Sequence, residues 1–266
     1  MTIIITCAVI LLVLVFLTLQ YSLLIPASKG LPILMYHKVS ENKSDDLTIE
    51  RDKLRLQLNY LKKNGYTSIF CNDLIANIKD GVPLPKKPVL ITFDDAYQNN
   101  FELLIPILHE LKLKATIFIP VKYMGKVNAW DKGIDPIMNA ETLKSINPKL
   151  VEFGLHSFAH DNYNTITTKE IEDDLQKCIS TLNSMNINYT KVLAYPYGKY
   201  PREGQRKLEF QGTLKKHNID LAFRIGNRIN KIPLKQPFEI KRIDIKGTDS
   251  FWSFKTKLTK GRVKLF

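Results

Sequence analysis

Short apolar, β-branched runs recur along the chain, each bounded by polar or turn-forming positions. Residues 33–37, 67–70, 89–94, 115–120, 151–156, 192–195, 221–225 and 240–245 are too short for helices and read as buried strands. Between them apolar residues return at helical spacing. Leu54, Leu58 and Leu61 form one stripe within residues 48–63, and Leu103, Leu104, Ile107, Leu108 and Leu111 form a second. Ile171, Leu175, Ile179 and Leu182 form a third, with Thr168 as the expected N-cap and Ile171-Glu172 entering the first turn. Strands alternating with helices imply parallel pairing through right-handed crossovers. Seven or eight such units predict an α/β chain closed into a barrel. Residues 121–148, punctuated by Gly125, Gly133, Pro136 and Pro148, read as a long excursion over one end of it.

The N-terminal pattern is different. Residues 3–25 carry no charge and are dominated by Ile, Leu and Val, a length sufficient to cross a bilayer as a helix. No Lys or Arg precedes the run, and Ala27-Ser28-Lys29 is a poor small-x-small cleavage site. The expectation is an uncleaved transmembrane anchor over residues 1–28 and one globular domain over residues 29–266. Lys29, Lys38 and Lys43 follow the run, so the positive-inside tendency alone would keep the domain cytoplasmic.

Charge is distributed unevenly. The formal net charge is +13, and residues 201–266 hold 17 Lys/Arg against 6 Asp/Glu, so eleven of the thirteen excess positive charges lie there. A basic C-terminal third suits a membrane surface or a lipid-linked sugar phosphate. No nucleic-acid module is recognisable, and nucleic acid is not an expected partner. Cys7 lies in the apolar run, while Cys71 and Cys178 fall in helical stretches. Without CxxC spacing there is no cysteine zinc site, and Cys71 and Cys178 are expected as buried free thiols.

The candidate chemistry gathers at strand ends. Thr92-Phe93-Asp94-Asp95 closes one run, and His156-Ser157-Phe158-Ala159-His160 follows another. One carboxylate and two imidazoles make the ligand set of an open divalent-metal site with room for water. The spare carboxylate beside them can take that water's proton, which is the parts list of a metal hydrolase. His37, Asp94-Asp95, His156 and Pro196-Tyr197 all fall at or just past the C-terminal end of a strand, where barrel active sites assemble. Trp130 beside Asp131, in the excursion over the mouth, suits stacking on a sugar ring. Glu152 and Asp161 are expected to support the site or lie at the surface. His109 and His217 read as surface or structural.

The order and spelling of these motifs resemble the polysaccharide deacetylase family (carbohydrate esterase family 4, the NodB-like domain) from about residue 32 to about residue 247. The motifs are Thr92-Phe93-Asp94-Asp95, His156-Ser157-Phe158-Ala159-His160 and Ala194-Tyr195-Pro196-Tyr197-Gly198. Pro32-Ile33-Leu34-Met35-Tyr36-His37-Lys38-Val39 resembles the opening strand of the branch with poly-N-acetylglucosamine deacetylases. The resemblance implies a distorted (β/α)7 barrel, with Asp95, His156 and His160 as metal ligands and Asp94 as general base. It also implies that the Tyr197 backbone N–H holds the oxyanion, with Tyr195 and Pro196 near the substrate. The implied cofactor is a divalent ion, Zn2+ first, although Asp-His-His sites also accept cobalt, nickel or manganese. The implied activity is N-deacetylation of N-acetylhexosamine residues in a cell-envelope polysaccharide, or of a lipid-linked amino sugar, with release of acetate. The implied location is the bacterial inner membrane, with the catalytic domain outside.

Three departures qualify the resemblance. Ala194 stands where the family has an arginine that holds the base aspartate, which leaves room for a non-catalytic glycan-binding barrel. No histidine follows His217, so the late Leu-x-His acid is absent, and His37 is expected to replace it, across the reacting carbonyl from Asp94. Ala96 replaces a glycine.

Overall fold

The structure, a computed structural model, describes residues 26–263 together with residues 5–7, 9–11 and 13. Its strands are β1 (Ile33–Tyr36), β2 (Lys38–Ser40), β3 (Thr48–Glu50), β4 (Thr67–Ile69), β5 (Pro88–Phe93), β6 (Ala115–Ile119) and β7 (Val151–Leu155). They continue with β8 (Val192–Ala194), β9 (Leu221–Ile225) and β10 (Ile240–Asp244). The main sheet is parallel throughout and runs β1-β10-β9-β8-β7-β6-β5 before β5 returns to β1, so seven strands close a ring. The closing register runs from Ile33↔Leu90 to Tyr36↔Phe93. The distortion has a local cause. β4 pairs with the first half of β5 (Thr67↔Pro88 to Ile69↔Leu90), whereas β6 pairs with its second half (Thr92↔Thr116, Phe93↔Ile117). β4 therefore wedges the ring open at one end.

Side chains alternate across each strand, and the two faces fill different cores. Ile33, Leu90, Phe118, Val192, Ala194, Leu221, Phe223 and Ile240 form the barrel interior. Leu34, Ile91, Ile117, Phe153, Leu193, Tyr195 and Ile243 face outward, in the core shared with the helices. The Phe118 ring needs space across the barrel, and Gly154 provides it: a Cβ there would lie 2.7 Å from the ring.

The helices are α1 (Arg51–Lys63), α2 (Cys71–Asp80), α3 (Ile105–Leu111), α4 (Ala140–Ser145), α5 (Thr168–Ser184), α6 (Gly204–Lys216) and α7 (Phe251–Lys260). The structure refines four local expectations. The helix expected from residue 48 begins at Arg51, because β3 pairs with β2 as a separate parallel ribbon. The N-cap of α5 is Thr167 rather than Thr168, since the Thr167 hydroxyl accepts from the Glu170 amide while the Glu170 carboxylate accepts from the Thr167 amide. The excursion over residues 121–148 carries two 3-10 turns and α4. Glu152 points into the lower barrel, where it accepts from the Cys71 and Asn72 amides at the start of α2 and from the Thr116 and Thr190 hydroxyls. It anchors a helix N-terminus far from the mouth. Cys71 and Cys178 are buried free thiols.

The expected anchor over residues 1–28 lies largely outside the described residues. Among the described residues, no helix is long and apolar enough to cross a membrane, so the structure lends that expectation no support.

Candidate metal centre and active site

Inward alternation explains why reactive groups meet at the mouth. Along β1 the inward positions Ile33 and Met35 lead to His37. Leu90 and Thr92 on β5 lead to Asp94, and Glu152 and Gly154 on β7 lead to His156. Asp95 falls on the other parity and reaches the site by a turn, with φ of 71° at Asp95 and 50° at Ala96. The left-handed Ala96 is the position where a glycine would relax the backbone.

Asp95, His156 and His160 are all buried, and their ligand atoms lie within 4.8 Å of one another. Asp95 Oδ1 is 3.4 Å from His156 Nε2 and 3.2 Å from His160 Nε2. Ligands about 2.1 Å from a tetrahedral centre stand about 3.4 Å apart, so these separations suit a divalent ion. Asp95 Oδ1 has no hydrogen-bond partner among the described residues, a costly state for a buried carboxylate oxygen unless a cation meets it. His156 Nδ1 lies 2.8 Å from the Ala194 carbonyl, which fixes the proton there and leaves the Nε2 lone pair facing Asp95. Burial, only partly opposed by the Asp94 carboxylate, pushes the His156 pKa down to about 4. At neutral pH the imidazole is a neutral ligand, and its approach to Asp95 is not an ion pair. Burial would likewise push the Asp95 carboxyl up, but the adjacent His160 and His156 hold it below its usual range.

Asp94 is held by a residue that motif reading missed. Arg242 on β10 reaches across β1 and grips Asp94 through two parallel contacts, Nη1 to Oδ1 at 2.5 Å and Nη2 to Oδ2 at 2.7 Å. Arg242 has no exposed surface, lies over the Phe118 ring at 5.4 Å and also donates to Thr92 Oγ1. Burial alone would raise the Asp94 pKa; Arg242, with His156 and His37, instead drives it far below the usual carboxylate range. The signal was present in the sequence. Ile240, Arg242 and Asp244 share one face of a strand, which puts a guanidinium on an inward position that nothing but a buried anion would tolerate.

His37 Nε2 lies 3.9 Å from Asp94 Oδ2, and His156 Nε2 lies 3.8 Å from the same oxygen. His37 therefore stands beside Asp94, too close for a carbonyl to sit between them, and not across from it. Burial raises the carboxyl of Asp244, at the end of β10, and the nearby Lys257 ammonium opposes that.

The loop carrying His160 depends on a carboxylate in the apolar stripe of α5. Asp174 accepts from the Phe158 amide at 2.9 Å, the Ala159 amide at 3.2 Å and the Tyr163 hydroxyl at 2.6 Å. These bonds fix the turn between the two histidines, where Ser157 and His160 adopt φ of 64° and 59°. Asp174→Ala should leave the fold intact by circular dichroism yet weaken metal affinity about 10- to 100-fold, read by competition with a chromogenic chelator. Unchanged affinity would show that the turn holds itself.

The remaining expected site residues divide. The Tyr197 ring packs edge-on against His160, with centroids 4.8 Å apart, after a left-handed turn at φ 57°. Trp130 stacks on the His160 ring at 4.4 Å and meets Tyr123 edge-on. One Trp130 face is thus committed to a candidate ligand. Tyr195 differs from expectation: it has no exposed surface, its hydroxyl donates to the Phe238 carbonyl, and its ring stacks on Tyr200. Its parity on β8 points it outward into the helix layer, so it cannot touch substrate. Pro196 is buried beside it. His109 is exposed on α3, and His217 ends α6.

The chain is similar to several known proteins. YxkH of Bacillus subtilis (strain 168), named as a candidate polysaccharide deacetylase, is 26% identical over 182 residues, covering 68% of this chain and 62% of that one. The poly-β-1,6-N-acetyl-D-glucosamine N-deacetylase of Staphylococcus aureus (strain MRSA252) is 26% identical over 174 residues, covering 62% of this chain and 58% of that one. This chain thus spans less than two thirds of the length of either relative. Among solved structures, the deacetylase PplD of Streptococcus pyogenes superposes with a TM-score of 0.72 at 19% identity, covering 88% of this chain and 99% of that one. IcaB of Ammonifex degensii superposes with a TM-score of 0.70 at 20% identity, covering 86% and 95%. At such identities the likeness concerns the fold alone. The polysaccharide deacetylase family model matches residues 81–215, from the residues before β5 into α6, which is half of the sequence. That span includes both aspartates and both candidate histidine ligands, and the chain belongs to the polysaccharide deacetylase family.

Proposed function

We propose that this domain is a metal-dependent N-deacetylase that removes acetyl groups from N-acetylglucosamine-type residues of a cell-envelope glycan. The observation that carries the reading is the unpartnered Asp95 Oδ1 facing two imidazole nitrogens, with a second, ionised carboxylate alongside. The names of relatives that act on poly-β-1,6-N-acetyl-D-glucosamine support the substrate class.

A divalent ion held by Asp95, His156 and His160 would polarise the acetamide carbonyl and acidify a water. Asp94, kept ionised by Arg242, accepts that water's proton as its oxygen attacks the carbonyl carbon. Two Asp94 lone pairs are taken by the guanidinium, and Oδ2 keeps one directed at the ligand pair. The Tyr197 amide, on the turn beside His160, is the donor proposed for the oxygen that gains charge. The proton that Asp94 accepts reaches the departing nitrogen through His37, whose Nε2 lies 3.9 Å from Asp94 Oδ2, the C–N bond breaks, and acetate and a free amine result. The rival reading, a glycan-binding barrel without catalysis, rests on a base aspartate that lacks its arginine. Arg242 supplies that partner, which favours the enzyme.

Purified chain should release acetate from N-acetylglucosamine oligomers, lose that activity to a chelator and regain it with Zn2+. Unaltered activity in chelator would overturn the metal. His37→Ala should reduce amide cleavage about 10²-fold or more, while sparing an activated aryl ester whose phenolate leaves unaided. Equal losses on both substrates would assign His37 a supporting role.

A further inference from the structure

We propose that the end of the barrel opposite the catalytic mouth is a docking face for anionic phospholipid headgroups. Bound there, the domain would hold its mouth away from the bilayer. That orientation rests on the deacetylase reading for its consequence, which is a preference for a polymeric glycan over a lipid-linked sugar.

The strands of the ring are parallel, so every strand starts at one end and delivers its reactive group at the other. Four segments converge at the starting end. Leu31, just before β1, exchanges backbone hydrogen bonds with Asn230, and the Ser28 amide donates to the Thr259 carbonyl near the end of α7. β10 begins beside them at Ile240. A groove of about 600 Å³ opens there, lined by Arg228, Lys231, Lys235, Lys241 and Lys260, and Lys29 lines an adjoining one. One carboxylate lines it among the described residues, Glu239, and this is already paired with Lys207. Lys29, Lys231 and Lys235 are exposed, and Ile232 beside them is 39% exposed. So many like charges on one face repel one another unless an anion meets them. Basic side chains around a small apolar group suit a headgroup layer.

The sequence selects lipid over a soluble polyanion. The uncharged run over residues 3–25 ends three residues before Ser28. Three residues reach at most about 10 Å, close to one Debye length at physiological salt. If that run enters a bilayer, this face comes within electrostatic range of the headgroups. The mouth then lies a barrel height away: five-residue strands rise about 17 Å before any loop is added. A sugar tied to a lipid phosphate would remain at the wrong end of the barrel.

The test uses the full chain, with Cys7→Ser, in lipid nanodiscs. A fluorophore on Gln236→Cys, in the groove, or on Ile134→Cys, 86% exposed near the mouth, is quenched by nitroxide-headgroup lipid. With about one third phosphatidylglycerol, the label at 236 should be quenched and the label at 134 should not. Phosphatidylcholine alone, or Lys231→Glu with Lys235→Glu, should reduce the docked population by about fivefold or more per lysine. The same charge-reversed chain should deacetylate soluble oligomers at the parental rate, which separates failure of docking from failure of the enzyme reading. Quenching at 134 in place of 236, equal quenching in both lipids, or binding of soluble polyphosphate without quenching would each overturn the proposal.

Discussion

Asp94→Asn should lower acetate release by about 10²- to 10⁴-fold while the chain still binds one equivalent of divalent metal. The amide keeps the volume of the carboxylate but cannot take a proton from water. Metal retention is expected because the candidate ligands converge on Asp95 Oδ1, whereas Asp94 Oδ2 lies farther off, 3.8 Å from His156 Nε2. Stability will fall as well, since Arg242, which has no exposed surface, then faces a neutral group. Metal content and circular dichroism must therefore be read alongside turnover. If metal and activity disappear together from a folded protein, Asp94 is a ligand, and the base must be sought elsewhere.

The sequence made the strands legible because a short apolar run between turn residues has few other physical outcomes. It also made the meeting of Asp94, Asp95, His156 and His160 legible, since parallel strands must end on one rim. Parity was harder to read. Tyr195 adjoins the Pro196-Tyr197 turn, yet one step along a strand reverses the face, and its ring lies in the outer core with Phe210 and Tyr200. Two supporting groups escaped notice for another reason. Arg242 and Asp174 each lie far along the chain from the residues they hold, at separations of 148 and 16 positions. A charged residue on an apolar face marks such a group, but it does not name its partner. The β4 wedge was illegible for a similar reason, because periodicity describes a strand and says nothing about how much of its neighbour it covers.

Arg242→Met should produce a folded but less stable chain whose activity has moved to higher pH. Removing one partner of a buried pair leaves the other uncompensated, at a cost of about 3–5 kcal/mol. In the parent, the folded Asp94 pKa lies below its unfolded value. The pair therefore contributes stability above the ordinary carboxylate range, and this is lost as pH falls through the folded value. In the variant, burial without the guanidinium raises the folded pKa, so the sign reverses and stability declines as pH rises through that value. Parent and variant should diverge most at neutral and alkaline pH and converge in acid, as followed by urea unfolding across pH. Activity gives an independent readout. The parent should show no acid limb from Asp94 near neutrality, whereas the variant should show one, with turnover at pH 7 reduced about 10- to 100-fold and partly recovered at higher pH. Adding Asp94→Asn to Arg242→Met removes both charges and should restore much of the lost stability without restoring turnover. A variant with the parental pH profile would sink the assignment, because Arg242 would then fill space without tuning the base.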